Sequence, residues 1–341
     1  MFNATTLAAL SVLALAAAPP APPTPPAPPA SPAMAGMTAW DDVAQEVPAS
    51  LDWQIRPADA KDGAGQVQFE IGYRSEHHAS TIGETIPLST LAGLSDGQLA
   101  SAGQPIAFTI RHDAGDFRCK GVSGEGRGVG TCVYAANAAF PAALAGRGIG
   151  GGLEPYQQFH MAMSDIGFAY LDELKREGYA TPSTLDLARA AIHGAGLKQL
   201  LAMNAAGYRF GDVATLVKMR DHGVSARYVT ALKDYGYAGL SANDLQRLRD
   251  HGVSTTYIGE LRQAGYSGLK PEDLVRLRDH GVSGGFVGEL HAMGYDGLTP
   301  EQLTRLHDHG VNAGFIRVAN QAGGRLSPDD LIQLRDRGRR R

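Results

Sequence analysis

Two columns of residues recur every 29 positions through the second half of this chain. One is Gly-Tyr: Gly178-Tyr179, Gly207-Tyr208, Gly236-Tyr237, Gly265-Tyr266 and Gly294-Tyr295, continued by Gly323. The other is His-Gly: His193-Gly194, His222-Gly223, His251-Gly252, His280-Gly281 and His309-Gly310. Two columns in phase over five units define a tandem array. A unit this short cannot bury its own apolar face, so neighbouring units must stack into a solenoid.

The chemistry of one unit predicts two short helices. Pro271, followed by Glu272 and Asp273, suits a first helical turn, where a missing N–H and negative charge are both tolerated. Thr299-Pro300 and Ser327-Pro328 add a capping hydroxyl before the proline. Arg278-Asp279-His280-Gly281 ends that helix, with glycine as a left-handed stop. Ser283 then caps a second helix, which Gly294 closes. Leu274, Leu277, Val282, Phe286, Val287, Leu290, Tyr295 and Leu298 form the expected core of the unit.

The histidine column invites a metal or pH-sensing reading. Its place at helix ends, beside exposed carbonyls, favours a structural one, and neighbouring histidines one repeat apart are too far separated to share a metal. A basic column, Lys218, Arg247, Arg276 and Arg305 beside Arg220, Arg249 and Arg278, raises nucleic-acid binding. Each unit also carries Asp221, Asp250, Asp279 or Asp308, and residues 155–341 net only about +2. Paired charges along stacked helices are the reading adopted, with no nucleic-acid partner. The terminal Arg337–Arg341 cluster reads as a frayed tail.

Residues 40–152 read as a β-rich domain, a small antiparallel sandwich or barrel. Val67–Tyr73 and Ile106–Ile110 alternate with period two. Asp116–Val122 and Val129–Tyr134 flank a glycine-rich turn and read as a hairpin. Folding it between Glu125 and Gly126 sets the only two cysteines, Cys119 and Cys132, opposite each other, within disulfide reach. The whole is an α+β, multidomain chain, with the β-rich domain followed by an αα solenoid over residues 153–341.

Several motif matches fail on context. Gly124-x-Gly126-x-Gly128-x-Gly130 joins two strands and offers no helix N-terminus to a phosphate. His77, His78, His112, Asp113 and Asp116 match no metal-site spacing. Ser267-x-x-Lys270 resembles a serine–lysine pair but spans an inter-helix turn. No catalytic, cofactor-binding or metal-binding residue is assigned, and the chain is read as not an enzyme. The rival is an envelope hydrolase assembled in space, from Ser75 or Ser80 with His77 or His112.

At the start of the chain, Leu7–Ala18 has the length of a signal-peptide core. No basic residue precedes it, the first being Arg56, and Pro19 hinders cleavage after Ala18; Ala33-Met34-Ala35 is a later small-x-small site. Residues 1–18 are therefore a signal peptide or a retained N-terminal anchor, and export to the periplasm or beyond is expected. Nine of the 19 prolines fall between Pro19 and Pro32. Residues 19–39 thus form a proline-rich linker whose polyproline core acts as a spacer.

The unit Leu248-Arg249-Asp250-His251-Gly252-Val253-Ser254, continued by Tyr257, Ile258, Glu260, Leu261 and Gly265-Tyr266, resembles repeats of bacterial extracytoplasmic proteins. Some of these are appended to membrane-bound peptidases like the BlaR1/MecR1 antibiotic-sensing regulators. Val67–Phe140 resembles the β-rich region that precedes such repeats, so the resemblance covers most of the chain after Gln66. The peptidase part would need His-Glu-x-x-His, which is absent here. The resemblance implies an extracytoplasmic sensing or docking portion. The expectation is a non-catalytic protein-interaction module whose partner is another protein or a cell-wall component. Membrane association follows if the N-terminal segment is retained, and a nucleic-acid-binding array is the second alternative.

Overall fold

The computed structural model describes residues 46–74, 79–321 and 324–339. The N-terminal signal or anchor, the proline-rich linker, Ser75, His77, His78, Gly323, Arg340 and Arg341 lie outside the described residues. Contacts divide the chain into Met1–Val43 and Ala44–Arg341; everything below concerns the second unit.

Six strands form one antiparallel sheet: β1 (Leu51–Pro57), β2 (Gln66–Arg74), β3 (Ala79–Pro87), β4 (Gln104–His112), β5 (Gly115–Gly124) and β6 (Arg127–Ala136). Their order is β3-β2-β1-β6-β5-β4. A short helix α1 (Asp96–Ala100), held by a capping box between Ser95 and Gln98, precedes β4. The expected hairpin is β5–β6. Gly124 pairs with Arg127, and Glu125 and Gly126 adopt φ of 54° and 76°, the two left-handed residues of a tight hairpin turn.

The β-rich domain is antiparallel as expected, and between sandwich and barrel it takes a single sheet. Among the described residues there is one sheet, not two, and no pairing joins its edges β3 and β4. It nevertheless curls as a barrel does. Trp53 on β1 and Phe108 on β4 are three strands apart in the ladder, yet their rings meet at 4.9 Å; Phe69 on β2 reaches Phe108 at 6.1 Å. Flat strands about 4.8 Å apart would keep these rings well separated. Glycine permits the curl. Gly121 and Gly130 face each other across β5–β6. A Cβ on Gly130 would lie 2.1 Å from the Lys120 carbonyl and 2.8 Å from the Trp53 ring. The indole lies over this bare backbone and its Nε1 donates to the carbonyls of Lys120 and Thr131, both at 3.3 Å.

After helix α2 (Phe140–Gly146), a file of nine-residue helices begins. The pairs are α3 (Pro155–Met163) with α4 (Phe168–Arg176), α5 (Thr184–Ile192) with α6 (Leu197–Ala205), and α7 (Val213–Asp221) with α8 (Ala226–Asp234). They continue as α9 (Ala242–Asp250) with α10 (Thr255–Gln263), α11 (Pro271–Asp279) with α12 (Gly284–Ala292), and α13 (Pro300–Asp308) with α14 (Ala313–Gln321). The last described helix is α15 (Pro328–Arg339). Odd helices stack on odd and even on even, giving the two layers of a solenoid. Capping follows the sequence reading: Thr299 caps α13 ahead of Pro300, and Ser283 caps α12. Gly281 (φ 72°) and Gly294 (φ 80°) are the left-handed stops. Leu274, Leu277, Val282, Val287, Leu290, Tyr295 and Leu298 are buried, while Phe286 is only partly so and packs at the core's margin.

The sheet closes one end of the array. Phe159 on α3 sits among Tyr73, Phe117 and Tyr134 with ring centroids 5.7, 6.3 and 5.3 Å away. Gln158 donates to the carbonyls of Ala114 and Asn137 at 2.8 and 2.9 Å. One continuous apolar core therefore runs from Leu51 to Ile332.

Candidate functional site

Each repeated histidine is the C-cap of an odd helix, one residue beyond its last turn. Its Nδ1 faces a carboxylate of the next unit: His193 to Asp221 at 2.7 Å, His222 to Asp250 at 2.6 Å, His251 to Asp279 at 2.8 Å, His280 to Asp308 at 2.9 Å and His309 to Asp336 at 2.9 Å. A carboxylate only accepts, so each Nδ1 carries the proton. Asp221, Asp250, Asp279 and Asp308 end their own helices, where the helix dipole disfavours negative charge. The imidazole N–H from the preceding unit offsets that cost. The aspartates were expected to pair with the basic column; they instead clasp the preceding repeat, because the histidine at its helix end lies nearer than the arginines.

The arginines have another task. Arg249 lies over the ring of Tyr228 at 4.9 Å, and Arg278 over Tyr257 at 5.1 Å. The same tyrosines donate to the carbonyls of Val253 and Val282 in the next unit, both at 2.8 Å. Burial pushes both phenols up to about 12, with the guanidinium above each ring pulling the other way. Of the outer basic column, Lys218 reaches Asn243 at 3.4 Å and Arg305 pairs with Asp329 at 2.9 Å. The Gly-Tyr tyrosines also bridge units: Tyr237 donates to Leu269 O at 2.7 Å and Tyr295 to Leu326 O at 2.9 Å. The residues that define the repeat are thus largely engaged between units.

The sequence-level site candidates do not come together as catalytic groups. His112 Nδ1 contacts the Ala162 carbonyl at 2.5 Å. Asp113 Oδ2 accepts from Phe168 N at 2.6 Å, capping α4 from outside the helix. Both residues fasten the sheet to the array. No hydrogen bond joins Ser80 to His112 among the described residues. Ser267 lies between α10 and α11, and Lys270 is the N-cap of α11. Gly128 and Gly130 make room for Trp53. Among the described residues no group of three or more His, Cys, Asp or Glu side chains is placed to hold a metal. Cys119 and Cys132 are paired in register and disulfide-bonded, with Cα atoms 4.0 Å apart.

The clasp had a sequence signal that spacing alone exposes. Asp precedes His in four units, but His193 follows Ile192 and Asp336 precedes Arg337. Histidines begin one unit early and aspartates end one unit late, as a head-to-tail chain requires. No protein-family model matches the chain, and no curated protein matches it.

Proposed function

We propose that this chain is a non-catalytic, extracytoplasmic protein-interaction or sensing module, with the helical array as its binding surface. The observation that carries the reading is the division of roles within the repeat. The repeated His, Asp, Tyr and Arg side chains bind one unit to the next, leaving the outward positions free to differ from unit to unit. The exposed position two residues before each glycine of the Gly-Tyr column, for example, is Arg176, Ala205, Asp234, Gln263 and Ala292. A solenoid of this kind presents an extended surface suited to a protein or cell-wall partner. The Cys119–Cys132 bridge fits an oxidising compartment, as do the signal-like N-terminus and the resemblance to extracytoplasmic repeat proteins.

Affinity capture from envelope extract with the full chain tests this reading. A partner retained on the tagged chain and displaced by excess untagged chain is the expected result. Absence of any displaceable partner, together with turnover of ester or peptide substrates, would replace the module with the hydrolase alternative.

A further inference from the structure

The column that carries Lys218, Arg247, Arg276 and Arg305 in later units begins with His160 and Arg189. From Arg189 onward its members are half-buried or exposed. His160 is only 8% exposed. Its Nε2 is closed off from solvent, and among the described residues this nitrogen has no hydrogen-bond partner. The clasp histidines differ, since each faces a carboxylate.

His160 sits in the helix that joins the sheet to the array. Just before it, Gln158 donates to the Ala114 and Asn137 carbonyls, and Phe159 stands among Tyr73, Phe117 and Tyr134. Just after it, the Ala162 carbonyl meets His112. A neutral imidazole needs only one ring N–H, so the closed-off Nε2 stays a bare lone pair. A second proton would put an N–H and a full charge there with no acceptor, which costs far more than an unpaired neutral group. The titratable groups around α3 are His112 and Asp113 on the β4–β5 turn, Tyr73 and Tyr134 beside Phe159, Asp165 beyond its end, and Asp186 and Arg189 on α5. None of them moves His160: burial alone holds its pKa below the ordinary histidine range.

We propose that α3 is an acid-released joint, in which a proton taken by His160 unseats the helix from the sheet and leaves the rest of the array standing. Linkage fixes the direction. A histidine that the fold keeps neutral binds fewer protons than it does in the unfolded chain. The stability it lends is therefore whole above a pH of about 6.5 and falls as the pH drops below that value. The loss stays local because the units of a solenoid are held by nearest-neighbour contacts. A nine-residue helix lifted off its partner is also too short to persist alone. Acid thus uncovers Phe159 and the three rings around it, while a cationic ring in each clasp keeps its carboxylate.

This goes beyond the interaction-module reading and needs no partner for its test. Hydrogen exchange of the full chain is followed by mass spectrometry at pH 7.5 and 5.0, with rates corrected for the intrinsic effect of pH. Acid should lower protection about tenfold or more over residues 155–168, while α9–α13 stay within about threefold. His160→Gln should abolish the acid-dependent loss in α3. The other ten histidines are common to both proteins, so the difference isolates His160. His160→Lys places a fixed cation at this position and should leave α3 poorly protected at both pH values; where that variant does not fold, His160→Gln decides. Protection of α3 that acid does not change, or that falls equally in His160→Gln, overturns the joint, as does equal loss across α9–α13.

Discussion

Replacing Gly130 by alanine tests whether the curl of the sheet depends on bare backbone beneath Trp53. The new Cβ would sit 2.1 Å from the Lys120 carbonyl, 2.6 Å from Gly121 Cα and 2.8 Å from the indole. Two of these three are main-chain atoms and cannot rotate away, so β5 and β6 must part and the indole must lift. Overpacking costs about 1–3 kcal/mol, and loosening two ladder hydrogen bonds adds about 1–3 kcal/mol. Alanine returns about 0.5–1 kcal/mol of backbone entropy, leaving a net loss of about 3 kcal/mol. That is a large fraction of the ~5–15 kcal/mol by which a domain is ordinarily stable. Gly124 on the same hairpin is the control: its nearest neighbours would be 3.8 Å away, and Gly124→Ala should stay within about 0.5 kcal/mol of the parent. The chain has two tryptophans, so a Trp40→Phe background leaves Trp53 as the sole reporter for urea unfolding followed by fluorescence. Equal midpoints for Gly130→Ala and Gly124→Ala would refute the reasoning, because packing against Trp53 would then not set the sheet's shape.

Leu277 is fully buried, so Leu277→Ala should cost about 2–5 kcal/mol in thermal or urea unfolding; a loss under 1 kcal/mol would mean the array core is loosely packed. His280 and Asp308 are each 44% exposed, so His280→Gln should cost less than about 1 kcal/mol, and a double-mutant cycle over His251 and Asp279 should give a coupling of about 0.2–1 kcal/mol. Free-thiol labelling of denatured, unreduced protein should modify neither Cys119 nor Cys132; reduction should lower stability by about 3 kcal/mol for so short a loop. Burial pushes the Tyr228 and Tyr257 phenols up to about 12, above the usual tyrosine value of about 10. The stability their burial gives is complete below pH 10 and lost as pH rises toward 12. Absorbance at 295 nm should therefore show their ionisation together with loss of helical signal.

The array was legible because its evidence is periodic: glycine stops, capping hydroxyls and prolines recur at positions where local backbone chemistry dictates them. The β5–β6 hairpin was legible for a similar reason, since a two-residue turn fixes the register that brings Cys119 to Cys132. Two strands escaped notice. Leu51, Trp53 and Ile55 alternate along β1 as clearly as the residues of β2, but one of its two partners, β6, lies far along the chain. In β3 the inward file includes Glu84, opposite Phe69, which breaks the apolar alternation. The single curled sheet depends on Trp53 meeting Phe108 across three strands, and no local pattern encodes that contact. The His–Asp clasp was hidden differently. Both columns were visible, but the partner of each histidine is the aspartate of the following unit, not its sequence neighbour.

Positions that break the repeat mark the places where its neighbours change. Where later units place His-Gly, the first has Ser164-Asp165. Ser164 donates to the Ala191 carbonyl at 2.7 Å, substituting a hydrogen bond to backbone for the clasp. Asp165 adopts φ 50°, a conformation that costs a non-glycine residue about 1 kcal/mol. It does so at the seam where His112 and Asp113 tie the sheet to the array. There the departure follows from a change of neighbour, since the preceding layer is a sheet instead of a helix pair.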